Sequence, residues 1–198
     1  MTGKARILLL AATFVAALVL SLSVVLIVSG RVAPPSMPQA SAVGGPFRLI
    51  DQNDRTVTEQ DLQGRPVLIF FGFTHCPDIC PTTLFQISEV LRSLGPDATR
   101  VRALFITVDP ERDTPGALKD YLSNFDPNLT GLTGDLEAIA AVTKAYRAYF
   151  KKVPLDKDSY TVDHTTVVYL MDKQGRFVAP FNLKRTTEAA AADLRRYL

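Results

Sequence analysis

The sequence predicts an α/β fold built on a largely parallel sheet, and three observations predict it. Pro66–Phe71 (PVLIFF) is continuously apolar and reads as a strand buried on both faces, and Ala103–Val108 (ALFITV) reads as a second core strand. Segments with helical spacing of apolar residues separate them, as parallel neighbours require. Two pairs of short strand-like segments, one at each end of the domain, flank turn residues and read as hairpins.

Taken in order, Phe47–Ile50 and Thr56–Thr58 flank Asn53-Asp54 and predict a first hairpin. Pro66–Phe71 is the first core strand. Pro81 suits the first turn of a helix, where its missing N–H leaves nothing unpaired. Leu84, Ile87, Leu91 and Leu94 share one face of that helix, and Gly95-Pro96 ends it. After the second core strand, Thr114-Pro115 caps a helix running to about Asn124. Asp135 caps another, with Leu136, Ile139, Ala140 and Tyr146 as its buried stripe. Val167–Met171 and Arg176–Pro180 flank Asp172-Lys-Gln-Gly175, a second hairpin. Thr187–Tyr197 reads as a closing helix. After the first hairpin the order is β-α-β-α-(β)-α-β-β-α, with the strand before Asp135 the least marked. This is the thioredoxin-like arrangement.

The chain of 198 residues divides into an N-terminal anchor region and one domain of ordinary size. Ile7–Val28 is an uncharged run of 22 residues rich in Leu, Val, Ile and Ala. As a helix it is long enough to cross a hydrocarbon core of about 30 Å. A cleaved signal would carry a shorter apolar core, and Ala40-Ser41-Ala42 lies far from the run. The expected organisation is a cytoplasmic N-terminus (1–6), a transmembrane anchor (7–28), a flexible linker (29–45) and a folded domain (46–198). Lys4 and Arg6 before the run, against Arg31 after it, place the N-terminus inside and the domain outside the cytoplasm. Pro34, Pro35, Pro38, Gly44 and Gly45 mark the linker, whose coil dimension of roughly 20 Å keeps the domain near the membrane.

Charge excludes one class of partner. With Lys4, Arg6 and Arg31 set aside, 19 of the 22 basic residues remain against 20 acidic ones. The domain therefore has no bulk positive charge for nucleic acid.

The chemistry sits in Phe71-Gly-Phe-Thr-His-Cys76-Pro-Asp-Ile-Cys80-Pro81, which follows a core strand and opens a helix. The helix start, with Cys80 near the N-cap, offers free N–H groups and partial positive charge, both of which favour thiolate. Cys76 and Cys80 are the only cysteines of the chain. The pair is open to three readings: buried core thiols, a small structural disulfide Cys76–Cys80, or a soft-metal site. Iron–sulfur clusters want four cysteines, and structural zinc wants four protein ligands. The supply here is two Cys and two His. His75 adjoins Cys76, which makes simultaneous ligation awkward. His164, in Asp163-His164-Thr-Thr, is the natural third ligand, since in a thioredoxin-like fold its loop faces the cysteine loop. Two thiolates and one imidazole suffice for a low-coordinate copper site. Asp163 is a candidate partner for nearby groups in that loop. Asp109, Glu111, Arg112 and Asp113 follow the second core strand and are expected to form a charged surface near the site, suited either to solvation or to partner docking.

Four ordered segments resemble the Sco/SenC family of copper proteins that serve cytochrome c oxidase assembly. They are Phe70–Leu84 (FFGFTHCPDICPTTL), Leu104–Thr114 (LFITVDPERDT), Asn124–Gly134 (NFDPNLTGLTG) and Asp163-His164 with Val167–Gly175. The resemblance runs from about Pro46 to the C-terminus. It implies Cu(I) or Cu(II) held by Cys76, Cys80 and His164. It further implies a role in metallating, or in reducing the thiols of, the dinuclear copper site of oxidase subunit II. The implied setting is the bacterial inner membrane, single-pass and facing the periplasm, or the mitochondrial inner membrane facing the intermembrane space. A non-enzymatic carrier is expected. The alternatives are a thiol–disulfide reductase and a copper or redox sensor. The spacing is C-x-x-x-C, not C-x-x-C, and neither cysteine fits the peroxiredoxin pattern P-x-x-x-T-x-x-C.

Overall fold

The structure, a computed structural model, describes residues 3–29, 43–155 and 159–198. The chain divides into two units, Met1–Ala40 and Ser41–Leu198. In the first, helix α1 (Gly3–Ser29) runs for 27 residues and contains the whole of Ile7–Val28. Among the described residues no helix is long and apolar enough to cross a membrane. The side chains of residues 4–9, 11 and 24–29 lie outside the described set, as does the expected linker up to residue 42.

The second unit holds a seven-stranded sheet in the order β2-β1-β5-β4-β3-β8-β9. Its strands are β1 (Arg48–Asp51), β2 (Thr56–Thr58), β3 (Val67–Gly72), β4 (Arg102–Thr107), β5 (Leu129–Thr133), β8 (Val168–Met171) and β9 (Phe177–Pro180). The centre, β5-β4-β3, is parallel, while β1, β2, β8 and β9 pair antiparallel. All six residues of β3 are buried, as expected of a strand covered on both faces. The helices are α2 (Ile79–Leu94), α3 (Pro115–Leu122), α4 (Leu136–Ala145) and α5 (Thr187–Arg195). Thr114, Asp135 and Thr186 cap α3, α4 and α5 by accepting the N–H of Ala117, Ala138 and Ala189. The final helix is two residues shorter than expected, with Arg196 as its C-cap.

Two hairpins at opposite edges of the sheet are built alike. Asp51 accepts the backbone N–H of Asn53 and Arg55, and its second oxygen takes the Arg55 guanidinium. Asp172 does the same with Gln174 and Arg176. The residue before each arginine, Asp54 or Gly175, has positive φ, 60° and 73°.

An element absent from the sequence reading is a separate two-stranded hairpin, β6 (Phe150–Pro154) with β7 (Tyr160–His164). Its strands are short, carry Lys151, Lys152 and Asp163, and bury only Val162 outright. They lack the apolar run that marks a core strand.

The topology places three chain segments at one end of the sheet. Parallel pairing from Val67↔Arg102 to Gly72↔Thr107 brings the C-terminal ends of β3 and β4 together. Antiparallel pairing of Phe70 with Val168 brings the start of β8 to the same end. The loops leaving β3 and β4 and the segment feeding β8 therefore meet there, where parallel sheets present their sites.

Burial alone would raise the Asp51 carboxyl, but hydrogen bonds from Arg55 and Asn53 and the Arg55 charge hold it below its ordinary 3.8. A carboxyl depressed in the folded state contributes stability that is present above its unfolded value and lost as pH falls through the folded one. Asp51→Asn is therefore expected to lower the melting temperature at neutral pH and to narrow that deficit below about pH 4. Thermal unfolding of both proteins across that range checks it.

Candidate metal centre

The loop leaving β3 is organised from beneath by a buried carboxylate. Asp113 is fully buried. Its Oδ2 accepts the Thr74 N–H at 3.0 Å and the Thr107 hydroxyl at 2.6 Å, and its Oδ1 accepts the Thr74 hydroxyl at 2.6 Å. The Cys76 N–H then donates to the Phe73 carbonyl, closing a turn.

Helix α2 begins at Ile79, with Asp78 as N-cap, so Cys80 lies inside the first turn and not at the cap. Pro81 is the third helical residue. That position is as tolerant as the first, because the first four N–H groups of a helix have no partner within it. One of those groups is used: the Cys80 N–H points at Cys76 Sγ, 3.4 Å away.

Cys80 Sγ sits against the backbone of β3. A Cβ added at Gly72 would lie 2.8 Å from that sulfur and 2.6 Å from the Phe105 ring, so only glycine fits there. Cys80 is fully buried and Cys76 half-buried, and both are free thiols.

His164 ends β7, and its Nε2 lies 3.5 Å from Cys80 Sγ. Its Nδ1 is 3.0 Å from the Thr165 carbonyl. A carbonyl only accepts, so Nδ1 carries the proton and the Nε2 lone pair faces the sulfurs. Phe70 and Phe73 present their rings roughly edge-on to the imidazole, with centroids 6.1 and 5.7 Å away. Burial lowers the His164 pKa, which keeps the ring neutral, the form that ligates metal. The ligand atoms of Cys76, Cys80 and His164 all lie within 4.8 Å of one another.

Two expectations change. Helix position was expected to favour thiolate, yet burial pushes the Cys80 thiol up, with the neighbouring sulfur and Asp113 adding to it. Desolvation outweighs the partial charge of the helix end. A coordinated cation reverses this balance, because a ligating thiol loses its proton. Second, Asp109 and Asp113 are not a charged surface: both are fully buried. Asp109 accepts the Tyr160 hydroxyl at 2.9 Å and the Arg112 guanidinium. Glu111 is the exposed acid of the group and pairs with Lys152 at 2.6 Å. His75, more than half exposed, bonds Thr74 and takes no part in the cluster. Asp163, on the exposed side of β7, pairs across the hairpin with Lys151. Sequence reasoning did not find Thr74, Thr107 or Gly72. The Thr74 and Thr107 hydroxyls matter only through contacts with residues far along the chain, though the glycine between Phe71 and Phe73 was a visible signal.

Residues 35–198 match the SCO1/SenC family, described as such. The chain belongs to that family. Its members serve cytochrome oxidase assembly. It is 42% identical over 166 residues to the mitochondrial SCO2 homologue of Bos taurus, covering 82% of this chain and 62% of that protein. It is 44% identical over 143 residues to a SCO2-like protein of Rickettsia prowazekii, covering 71% and 70%. Among solved structures, Bradyrhizobium japonicum ScoI with copper bound is 64% identical, with a TM-score of 0.78 over 79% of this chain and 99% of that one. Yeast Sco1 with copper bound is 39% identical, with a TM-score of 0.72 over 78% and 87%. The fold is the thioredoxin-like α/β fold of Sco proteins, and copper occupies these structural relatives.

Asp113→Asn replaces one of two accepting oxygens by an amide N–H, which either meets the Thr74 N–H or forces a threonine hydroxyl to turn and accept. It is expected to cost about 1–3 kcal/mol of stability and to weaken metal uptake, because Thr74 no longer anchors the cysteine loop. Denaturant unfolding and copper titration of the same sample check both effects.

Proposed function

We propose that the protein is a membrane-anchored copper carrier that supports metallation of the dinuclear copper site of cytochrome c oxidase subunit II. Cys76, Cys80 and His164 would hold the copper. The observation that carries this reading is the convergence of two sulfurs and a neutral imidazole nitrogen within 4.8 Å, drawn from two separate segments. Soft thiolates with one imidazole suit Cu(I), and no further Cys, His or acid among the described residues joins them. Copper in structures of relatives 64% and 39% identical supports it. Copper here is cargo: the carrier has no turnover of its own.

The same two sulfurs also suit the second reading, reduction of the oxidase thiols with formation of a Cys76–Cys80 disulfide. Free thiols this close, linked through the Cys80 N–H, favour keeping it alongside the first. A copper or redox sensor would use the same site without delivery.

The proposed organisation keeps residues 1–6 in the cytoplasm, 7–28 as anchor, 29–45 as linker and 46–198 as the functional domain. That domain faces the periplasm or the intermembrane space. The uncharged apolar run Ile7–Val28 of the sequence supports the anchor. Membrane association that resists carbonate extraction, and is lost when residues 1–29 are removed, is the expected result. Ready extraction of the full chain would refute the anchor.

The site is tested by titrating the reduced full chain, in detergent, with Cu(I). One copper per chain is expected, with binding weakened at least tenfold in Cys76→Ala, Cys80→Ala and His164→Ala, a loss of about 1.4 kcal/mol or more. Binding indifferent to His164 would remove the carrier reading and favour thiol redox chemistry.

A further inference from the structure

The strand that carries His164 has no ladder to the main sheet: β6 and β7 pair only with each other. At its base the two arms are closed on each other by the Thr165 N–H to the Tyr149 carbonyl and the Tyr149 N–H to the Thr165 hydroxyl. Val162 seats the middle of the ribbon in the core, with Phe150 and Tyr160 packed partly buried against it. The far end of the hairpin is held by a second set of contacts, all on the loop after β4.

There the Arg112 guanidinium lies 3.9 Å over the Tyr160 ring and 5.7 Å from the Phe73 ring on its way to the site. Its Nη1 donates to the Tyr160 carbonyl at 3.2 Å, and its Nε pairs with Asp109. Nη2 is buried without a hydrogen-bond partner, so contact between the planar cation and the aromatic rings takes its place. Lys152 stacks on Tyr160 as well, 4.7 Å from the ring. Tyr160 is four residues from His164 along β7, roughly 13 Å at strand rise.

These contacts continue to the cysteines. The Tyr160 hydroxyl donates to Asp109, whose N–H donates to the Thr107 hydroxyl at 2.9 Å. That hydroxyl donates to Asp113, which holds Thr74, two residues before Cys76. On the other side, Phe73 presents its ring edge-on to His164, at 89°.

We propose that Arg112 is a positioning residue of the metal centre: stacked between Tyr160 and Phe73 and held by Asp109, it locks the β6–β7 hairpin to the cysteine loop and so sets where His164 stands. This rests on the copper reading of the cluster. Arg112 touches no ligand atom. It acts by fixing the Tyr160 end of the hairpin against Phe73 and Asp109, so that imidazole and thiolates share one frame.

The test compares Arg112→Lys, Arg112→Gln and Tyr160→Phe with wild type and His164→Ala, all as full chains. Lysine keeps the charge and loses the planar fork, and phenylalanine keeps the ring and loses only the bond to Asp109. The Arg112 variants are expected to bind one copper with about 10-fold to 100-fold lower affinity. Their Cu(II) resonance spectra should lose imidazole-nitrogen coupling and shift toward that of His164→Ala. In the metal-free proteins, His164 ring signals should broaden and exchange at residues 161–165 should quicken, with Tyr160→Phe intermediate. A lower melting temperature with wild-type spectrum, affinity and His164 signals would overturn the proposal. Wild-type copper binding that ignores His164→Ala would instead sink the copper reading. The metal-free ring signals would still decide whether Arg112 fixes the hairpin.

Discussion

The carboxylate of Asp113 is the constraint on which the rest of the site depends. A buried charge is tolerable only when its oxygens are satisfied, and the three donors that satisfy it come from Thr74 and Thr107. Those residues belong to the loop after β3 and to the end of β4. One buried anion thus binds together two loops whose strands are neighbours in a parallel pair. The cysteine loop is placed by electrostatic need as much as by backbone pairing.

Topology does the remainder. In a parallel pair both strands end at the same edge, and an antiparallel third strand begins there. The fold thereby brings residue 164 beside residues 76 and 80 without a long loop crossing the sheet. Bulky residues close in on the sulfurs except at Gly72, where the absent side chain leaves room for Cys80 Sγ beside Phe105. Stability and site geometry are the same packing problem at this edge.

Much of this was legible in the chain. The apolar runs at Val67–Phe71 and Ala103–Ile106 have one physical explanation, a strand covered on both faces. Thr114 and Asp135 cap the helices expected to start at them, although Leu136 and Ala140, expected in the buried stripe of the second, are exposed beside the buried Ile139 and Tyr146. Cys76, Cys80 and His164 could be paired in advance because the alternatives were so few. Other features were hidden for identifiable reasons. The β6–β7 hairpin buries little and is held by cation–ring contacts, which leave no periodic trace in sequence. Asp109 and Asp113 look like surface residues because burial of a carboxylate depends on partners elsewhere: Tyr160 and Thr74 stand far along the chain from them. The state of the Cys80 thiol is hidden for a similar reason: its place at a helix start is local, while the burial that raises it comes from tertiary packing.

The two sulfurs are unequal in depth. Cys80 is sealed between the Gly72 backbone and the Phe105 ring, while Cys76 retains contact with solvent. Any incoming thiol, oxidant or alkylating reagent therefore meets Cys76 first. A mixed disulfide with another protein would have to form there, leaving Cys80 behind it as the internal nucleophile able to expel the visitor. The site has a front and a back, and traffic through it runs in a set order.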